Sequence, residues 1–411
     1  MKTILINIKK LCQIRPNTME FVKGQSMADL PCIDNAFLLI ENGKIADFGS
    51  MDNIHGWDIS GVAEVIDAEG KMVLPAWADS HTHLVFAASR EEEFVDKIKG
   101  LSYQEIAEKG GGILNSAKKL ANCSEEELYD SAWKRLQEIK ATGTGAVEIK
   151  SGYGLSYEAE LKILRVIKEL KKESDLTIKA TFLGAHAFPA EFKENQNAYV
   201  DLVIEKMLPE IAKNELADFI DVFCENNYFS VAQMERIIDA GANFGLKAKV
   251  HVNQFNVLGG IKSAVNKAAL SVDHLEVMSN EDIAALKNSS TMPTFLPSCS
   301  FFLNLPYGPA KKLIENDIPF ALASDYNPGS TPSGNIPFVM SLAAINMKLL
   351  PEQSINACTL NSAYAMGLQK ELGSITIGKK ANLIITKTIP SLAYIPYSFG
   401  KSCIEKVILN K

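Results

Sequence analysis

The central part of the chain alternates short apolar runs with helical patterns. Apolar runs of about four to eight residues that end in polar or turn residues are typical of buried strands. Strands that alternate with helices pair in parallel through crossover connections, so the pattern predicts an α/β fold with a parallel sheet. Eight strands are predicted, at residues 72–79, 145–149, 177–183, 218–223, 248–253, 270–273, 291–295 and 319–323.

The segments between these strands carry helix signals. Apolar residues recur at helical spacing over residues 161–170, and capping boxes begin at Ser102, Ser124 and Ser230. Eight is the number of strands that closes a (β/α)8 TIM barrel, whose active site lies at the carboxyl ends of the strands. An open doubly wound sheet is the alternative. The barrel is favoured because polar residues follow nearly every strand and are not confined to one switch point.

The two ends of the chain have a different pattern, made of short β segments separated by turns. The Asn42-Gly43 pair between two apolar runs predicts a hairpin. We expect residues 1–71 and 373–411 to form one small β-sandwich domain built from both chain termini, beside a catalytic barrel domain of residues 72–372. Two separate hairpins are the alternative.

Composition and charge limit the classes of partner that the protein is expected to bind. The 411 residues carry a formal net charge of −7, which argues against nucleic acid or an anionic membrane. No run approaches the ~20 apolar residues that span a bilayer. The seven cysteines are scattered and form no C-x-x-C motif, which suits reduced thiols. We therefore expect a cytoplasmic protein with no nucleic-acid and no membrane partner.

Five of the six histidines sit at the ends of predicted strands. His81 and His83 alternate along an extended strand, so they point the same way and can bind one metal ion together. His251 from strand five and Asp325 from strand eight complete a credible zinc or iron site. A metal held there lowers the pKa of a bound water towards ~7, and Asp325 can accept the water's proton. Strand seven is expected to bring no metal-binding group.

Other polar residues at the strand ends have structural alternatives. His186 and His274, taken singly, are more typical of satisfied core histidines than of catalytic groups. Glu148 and Lys150 fit an ion pair inside the barrel. Glu225 is as consistent with a cap or a salt bridge as with a catalytic carboxylate.

Taken together, the residues resemble the metal-dependent amidohydrolase superfamily. The His81-Thr82-His83 motif, His251, His274 and Asp325 carry the resemblance, and residues 89–94, 110–113, 148–155, 182–186 and 324–329 extend it along the chain. The resemblance implies hydrolysis of C–N bonds in a metal-bearing (β/α)8 barrel with a β-sandwich from both chain ends. The closer agreement implies a member that opens the ring of 4-imidazolone-5-propanoate to N-formimidoyl-L-glutamate with a metal-activated water, in histidine catabolism.

The resemblance also implies roles for individual residues. One Zn(II) or Fe(III) per chain would be held by His81, His83, His251 and Asp325. Asp325 would take the water's proton, and His274 or His186 would polarise the ring carbonyl. Contacts to the substrate or the ring-opened product would be made by Arg90, Tyr153, His186, Gln254, Asn327, Gly329 and Ser330.

Two of these residues bear on the substrate. Arg90 can grip a propionate carboxylate with two parallel hydrogen bonds. Gln254 stands where some relatives carry a glutamate, and an amide cannot be a general base. We therefore interpret Gln254 as a hydrogen-bonding partner of the ring.

Two other functional classes stay open. Another cyclic-amide or nucleobase amidohydrolase or deaminase would keep the metal ligands, but it would not need Arg90 or the Tyr153 loop in this form. A non-catalytic interaction protein of the same fold should have lost the ligands, and all four are present. The expected partner is a small-molecule substrate, and a homodimer is also left open.

Overall fold

The computed structural model describes residues 2–54, 61–101, 105 and 111–410. His55 and the predicted cap at Ser102 lie outside these residues. The strands in the described part of the chain are β1 (Lys2–Cys12), β2 (Cys32–Glu41), β3 (Lys44–Ser50), β4 (Glu64–Asp67), β5 (Met72–Pro75), β6 (Trp77–Thr82), β7 (Thr144–Lys150), β8 (Thr177–Ala185), β9 (Phe219–Cys224), β10 (Lys247–Val252), β11 (Ser271–His274), β12 (Met292–Phe295), β13 (Ala321–Leu322), β14 (Leu383–Thr386) and β15 (Ile404–Ile408).

Strands β6 to β13 form an eight-stranded parallel sheet in which each strand pairs with its neighbours in the sequence. The first and last strands are joined by backbone hydrogen bonds just past their ends, from Asp325 to His81 (3.0 Å) and from His83 to Tyr326 (2.8 Å). These bonds close the sheet, and the predicted barrel fold is confirmed.

Helices lie between successive barrel strands, and four further helices of the described chain follow the last of these strands. In the described residues they are α1 (Glu91–Ile98), α2 (Gly112–Ala121), α3 (Glu125–Ala141), α4 (Tyr157–Glu173), α5 (Gln196–Leu202), α6 (Leu208–Lys213), α7 (Val231–Ala242), α8 (Gly260–Asn266), α9 (Asn280–Leu286), α10 (Pro297–Leu303), α11 (Ala310–Glu315), α12 (Ile336–Asn346), α13 (Pro351–Cys358), α14 (Leu360–Ala365) and α15 (Tyr394–Tyr397). A π-helical turn, Val203–Met207, joins α5 to α6.

Local sequence signals explain where several helices begin. The predicted capping boxes at Ser124 and Ser230 both form, and each serine accepts a hydrogen bond from the backbone N–H three residues later. The apolar stripe predicted over residues 161–170 is the buried face of α4. None of the described helices is long and apolar enough to cross a membrane.

The two chain ends meet in a second sheet with the strand order β15-β14-β5-β1-β2-β3, and β4 pairs with β1. The predicted hairpin is the β2–β3 pair. Its turn residues Asn42 and Gly43 have φ values of 50° and 76°, which is the conformation that favours an Asn-Gly sequence. A separate hydrophobic cluster, with Leu5, Leu38 and Leu383 among its members, fills the inside of this sheet.

The apolar run of residues 72–79, predicted as one strand, is divided between the two sheets. β5 pairs with β1 and β14, whereas β6 pairs with β7 in the barrel. Ala76 lies between them and donates its N–H to Asn382, while Trp77 donates to Gly143. The chain thus passes directly from the terminal sheet into the first barrel strand, which fixes the position of His81 and His83 relative to both.

Candidate active site

Three histidines meet at the carboxyl end of the barrel. His81 lies on β6, His83 follows it, and His251 lies on β10, and all three are buried. The Nε2 atoms of His83 and His251 are 3.3 Å apart. One ligand atom from each of the three rings lies within 4.8 Å of the others, so the rings converge on one point.

The outward nitrogen of each ring is held by an oxygen acceptor. His81 Nδ1 lies 2.7 Å from Asp273 Oδ2, His251 Nδ1 lies 3.0 Å from Asp221 Oδ2, and His83 Nδ1 lies 3.3 Å from the Ser151 carbonyl oxygen. A histidine whose Nδ1–H donates in this way presents the Nε2 lone pair, as metal-ligating histidines do.

The inward nitrogens fit a metal ion. His81 Nε2 is buried and has no hydrogen-bond partner among the described residues. Burial lowers the pKa of His81 and of His83 well below the ordinary value, so both rings are neutral. A buried lone pair without a donor is expensive unless a cation or a donor fills the place.

Asp325 supplies a carboxylate to the same point. Its Oδ1 atom lies 3.5 Å from His81 Nε2 and 3.8 Å from His83 Nε2. Its Oδ2 atom accepts a hydrogen bond of 3.1 Å from the Ser330 hydroxyl. Burial raises the pKa of this carboxyl above its usual value. The four residues predicted as a metal site are therefore brought together.

A buried ion cluster supports the histidines from inside the barrel. The Lys150 ammonium contacts Glu148 (2.6 Å), Asp221 (2.7 Å) and Asp273 (3.6 Å), and Lys249 contacts the other oxygen of Glu148 (2.6 Å). Although burial alone would lower the pKa of Lys150, the three carboxylates raise it above its ordinary value. The interpretation of Glu148 and Lys150 as an internal ion pair is thus confirmed, and the pair is part of a larger cluster.

His186 and Tyr153 form one wall beside the histidines. The His186 ring stacks on that of His83, with centroids 5.1 Å apart and planes 12° apart. Its Nδ1 lies 2.9 Å from the Gly152 carbonyl oxygen, so this nitrogen donates and Nε2 is left as an acceptor. Burial lowers the pKa of His186 to about 3. The Tyr153 hydroxyl lies 3.4 Å from Asn327 Oδ1.

Asn327 organises the loop after β13. Its side-chain oxygen accepts from the backbone N–H groups of Gly329 and Ser330, both at 2.8 Å, and its amide donates to the Asp325 carbonyl oxygen at 2.7 Å. The loop carries Asp325 with φ 58°, a left-handed conformation that is unusual outside glycine. Three residues predicted to contact the substrate or product therefore lie in the turn that holds Asp325, namely Asn327, Gly329 and Ser330.

Arg90 reaches the same loop from the other side. Its guanidinium donates from Nε (2.9 Å) and from Nη2 to one oxygen of Glu93, whose other oxygen accepts from Gly112 N–H (3.0 Å). A Cβ atom on Gly329 would lie 2.4 Å from Arg90 Nη1, so only glycine lets the two approach. Arg90 is therefore already paired with the Glu93 carboxylate in the described part of the chain.

A second group lies beside the three histidines. His274 Nδ1 is 3.3 Å from Glu276 Oε1, and Gln254 Nε2 is 3.5 Å from the Cys299 sulfur. His274, Glu276 and Cys299 are buried and also offer ligand atoms within 4.8 Å of one another. Cys299 comes from α10, which follows β12, and so lies beyond the strand-seven end considered in the sequence. Nothing in the local sequence distinguishes Cys299 from the other cysteines.

Two further carboxylates were missed or undervalued in the sequence. Glu160, fully buried on α4, accepts backbone hydrogen bonds from Gly152 (2.9 Å), Gly154 (2.7 Å) and Leu155 (2.9 Å). It thereby holds the glycine loop that carries Tyr153. Glu225 similarly accepts from the Phe255 N–H at 2.8 Å, which matches the structural alternative and not a catalytic one.

Comparisons with known proteins agree with this geometry. The family described as "Amidohydrolase family" matches residues 104–392. The chain is 59% identical over 410 residues to a protein of Flavobacterium johnsoniae named imidazolonepropionase, with 100% of this chain and 99% of that protein covered. It is 41% identical over 408 residues to an imidazolonepropionase of Fusobacterium nucleatum, with 99% and 97% covered.

Solved structures resemble the fold at much lower sequence identity. A triazine hydrolase variant superposes with a TM-score of 0.76 at 14% identity, covering 99% of this chain and 93% of that chain. The E. coli guanine deaminase has a TM-score of 0.71 at 14% identity, covering 100% and 98%. At this identity the likeness concerns the fold alone.

Replacing Glu160 tests the support of the Tyr153 loop. Glu160→Ala leaves three buried N–H groups without their acceptor, so we expect a loss of about 3 kcal/mol or more in the free energy of unfolding. Chemical denaturation measures this loss. Glu158→Ala, on the exposed side of the same helix turn, is the matched control and should change stability by less than about 0.5 kcal/mol. Equal stability of the two variants would contradict the assigned role.

Proposed function

The chain belongs to the amidohydrolase family, and on that premise we propose that it hydrolyses 4-imidazolone-5-propanoate to N-formimidoyl-L-glutamate. The observation that carries the proposal is the convergence of His81, His83, His251 and Asp325 at the barrel mouth, with Arg90 bordering the same loop. The full-length similarity to imidazolonepropionases supports the choice of substrate.

We propose that one Zn(II) or Fe(III) per chain is held by His81, His83, His251 and Asp325. Three neutral imidazoles and one carboxylate are donors that suit either ion, and the unpartnered Nε2 of His81 supports a ligand at this point. When bound, such a metal supplies a water that is acidic enough to be deprotonated near neutral pH.

In this proposal the Asp325 carboxylate transfers a proton from the attacking water. Asp325 accepts the proton of the attacking water, because its Oδ1 faces the histidine cluster while Ser330 holds its Oδ2. The oxygen adds to the ring carbonyl carbon, the bond from that carbon to the ring nitrogen breaks, and the nitrogen takes the proton. Water is thus added across one C–N bond, which gives a carboxylate and an open formimidoyl group.

The two remaining histidines have different hydrogen-bonding roles in this proposal. Burial lowers the pKa of His274, but the Glu276, Asp325 and Asp273 carboxylates together raise it by more, so the net shift is upward and His274 can donate to the carbonyl oxygen. His186 keeps its Nδ1–H on Gly152 and offers Nε2 as an acceptor. We therefore assign carbonyl polarisation to His274 and ring N–H recognition to His186.

The other contact residues surround the ring and its side chain. Arg90 anchors the propionate, and Gly329 leaves room for the guanidinium to do so. Tyr153, Asn327 and Ser330 border the ring-opened end of the molecule. Gln254 hydrogen-bonds the ring as a neutral amide.

We also propose the wider setting of the enzyme. Residues 1–71 with 373–411 form the composite β domain, to which β5 (Met72–Pro75) also contributes a strand, and the rest of 72–372 forms the catalytic barrel. All seven cysteines are free thiols, which is typical of a reducing compartment and supports a cytoplasmic location. Its partner is the small-molecule substrate, and a homodimer stays a prediction.

The activity is tested directly with purified protein and enzymatically generated imidazolone propionate. We expect loss of the ultraviolet absorbance of the ring, with N-formimidoyl-L-glutamate as the product identified by mass spectrometry. Guanine and a hydantoin serve as control substrates. Turnover of either control with no turnover of imidazolone propionate would assign the protein to a sibling activity.

Replacing His251 tests the metal site. An open site with few protein ligands cannot spare one, so His251→Ala should lose most of the tightly bound metal and the activity together. His186→Asn is the matched control, because His186 stacks on His83 but lies outside the converging group. It should keep the metal and lose activity. Elemental analysis measures both, and two tightly bound metals per chain in the wild type would contradict a single site.

Replacing Arg90 tests the propionate anchor. Arg90→Met removes the charge-assisted pair between the guanidinium and the substrate propionate but keeps the aliphatic bulk of the side chain. The value of kcat/KM should therefore fall by roughly two to three orders of magnitude while the metal content is unchanged. Arg165→Met, at an exposed pair with Glu125, is the control and should leave kcat/KM near wild type. A folded, metal-replete Arg90→Met enzyme with near-normal kcat/KM would reduce Arg90 to a structural partner of Glu93.

A further inference from the structure

We propose that His274, Glu276 and Cys299 form a second metal site, which binds zinc or a similar divalent ion when that ion is in excess. The three side chains offer an imidazole nitrogen, a carboxylate oxygen and a sulfur, and these atoms lie within 4.8 Å of one another. A nitrogen, oxygen and sulfur donor set suits zinc.

The geometry needs only a small contraction to hold an ion. Two ligand atoms at about 2.1 Å from a tetrahedral zinc ion are about 3.4 Å apart. The His274 Nδ1 to Glu276 Oε1 distance is already 3.3 Å. The sulfur of Cys299 therefore has the main movement to make; its contact with Gln254 Nε2 is long at 3.5 Å, and Asp325 and Ser330 also lie beside it.

Glu276 gives an independent indication of a ligand. This residue is only 3% exposed, and its Oε2 atom has no hydrogen-bond partner among the described residues. A buried carboxylate oxygen without a donor is strongly unfavourable. A cation bound by both oxygens of the Glu276 carboxylate would satisfy it while keeping Oε1 beside His274.

The backbone at the site has a strained conformation that brings the His274 and Glu276 side chains close to each other. His274 and the residue after it, Leu275, have φ values of 88° and 65°, which L-residues other than asparagine and aspartate rarely adopt. Two successive left-handed residues turn the chain sharply at the end of β11, and His274 and Glu276 meet across that turn. Strain of this kind persists where a site requires it.

The charge of the second site allows both sites to be filled, and its donors explain why it binds an ion more weakly than the first. The ring centroids of His274 and His251 are only 5.3 Å apart, so ions at the two sites would be close. Glu276 and a Cys299 thiolate together neutralise a divalent ion at the second site, which limits repulsion between the two ions. The first site has three histidines, two of them fixed by the carboxylates of Asp273 and Asp221. At the second site the donors are fewer and less firmly held, so it fills only after the first.

Occupation of the second site would stop catalysis, and this consequence rests on the function proposed above. An ion bound by His274 removes the group assigned to polarise the carbonyl. The ion would also occupy space beside Gln254, where the ring is expected to bind. Excess metal is therefore expected to inhibit the enzyme that one metal activates.

Cobalt titration tests the site without reference to activity. Protein that carries one tightly bound zinc is titrated with Co(II), which binds less tightly than zinc to the same ligands and leaves the first site filled. Coordination by a thiolate gives a sulfur-to-cobalt charge-transfer band in the near ultraviolet. We expect this band in the wild type, saturating at one equivalent of cobalt, since the first site contains no sulfur.

Variants identify the ligands. Cys299→Ser should abolish the band, whereas Cys224→Ser, another buried cysteine at a barrel strand end, should keep it. Glu276→Gln should keep the band at saturation and weaken cobalt binding by about tenfold or more. A wild type without the band, or a Cys299→Ser protein that retains it, would overturn the proposal.

The inhibition is measured separately. Zinc in excess of one equivalent should lower kcat/KM of the wild type by about a hundredfold at saturation of the second site, comparable to the loss of one oxyanion donor. The same zinc should inhibit Cys299→Ser much less. A cobalt band without zinc inhibition would overturn the regulatory part. Protein with one zinc that shows the band but never turns over imidazolone propionate would instead refute the proposed function.

Discussion

The active site depends on two carboxylates that are buried without solvent. Asp221 and Asp273 each hold the Nδ1 of a histidine that faces the metal point, and Lys150 lies against both. A carboxylate in a dry interior is strongly unfavourable unless it is paired and hydrogen-bonded. Although burial alone would raise the pKa of Asp221, the charges and hydrogen bonds of His251 and Lys150 hold it well below the ordinary value. The ion cluster thereby keeps Asp221 charged and orients both imidazoles.

This requirement also explains why the sheet must close. Asp273 on β11 is level with His251 on β10 in the strand register, yet it bonds to His81 on β6, which is not its neighbour in the sheet. In an open sheet, β6 and β11 would be separated by the full width of the intervening strands, about 4.8 Å for each step. Only a barrel brings the two side chains within 2.7 Å. The hydrogen bond between Asp273 and His81 therefore requires the closed barrel.

The sequence predicts those parts of the structure that depend on local pattern. Apolar runs and helix caps locate the eight barrel strands, and the His-x-His spacing identifies His81 and His83 as a pair. The division of residues 72–79 at Ala76 was missed because both halves are apolar and buried; the one local signal is Pro75, which ends β5 and cannot donate a ladder hydrogen bond. Cys299 and Glu160 were missed for a similar reason. Their importance depends on contacts between elements distant in sequence, which alternation and spacing do not encode.

The amide at position 254 follows from the charges that surround it. Gln254 lies 3.5 Å from the Cys299 sulfur, and a Glu276 oxygen lies within 4.8 Å of it. Burial first, then the nearby Asp325 and Glu276 carboxylates, raises the pKa of that thiol well above its ordinary value. A glutamate at 254 would add another negative group to a dry pocket that already contains two carboxylates. Like charges at such distances cannot all stay ionised, so one of them would have to keep a proton. A neutral amide avoids that conflict and donates a hydrogen bond, which supports the proposal that Asp325 is the carboxylate that takes the proton of the water.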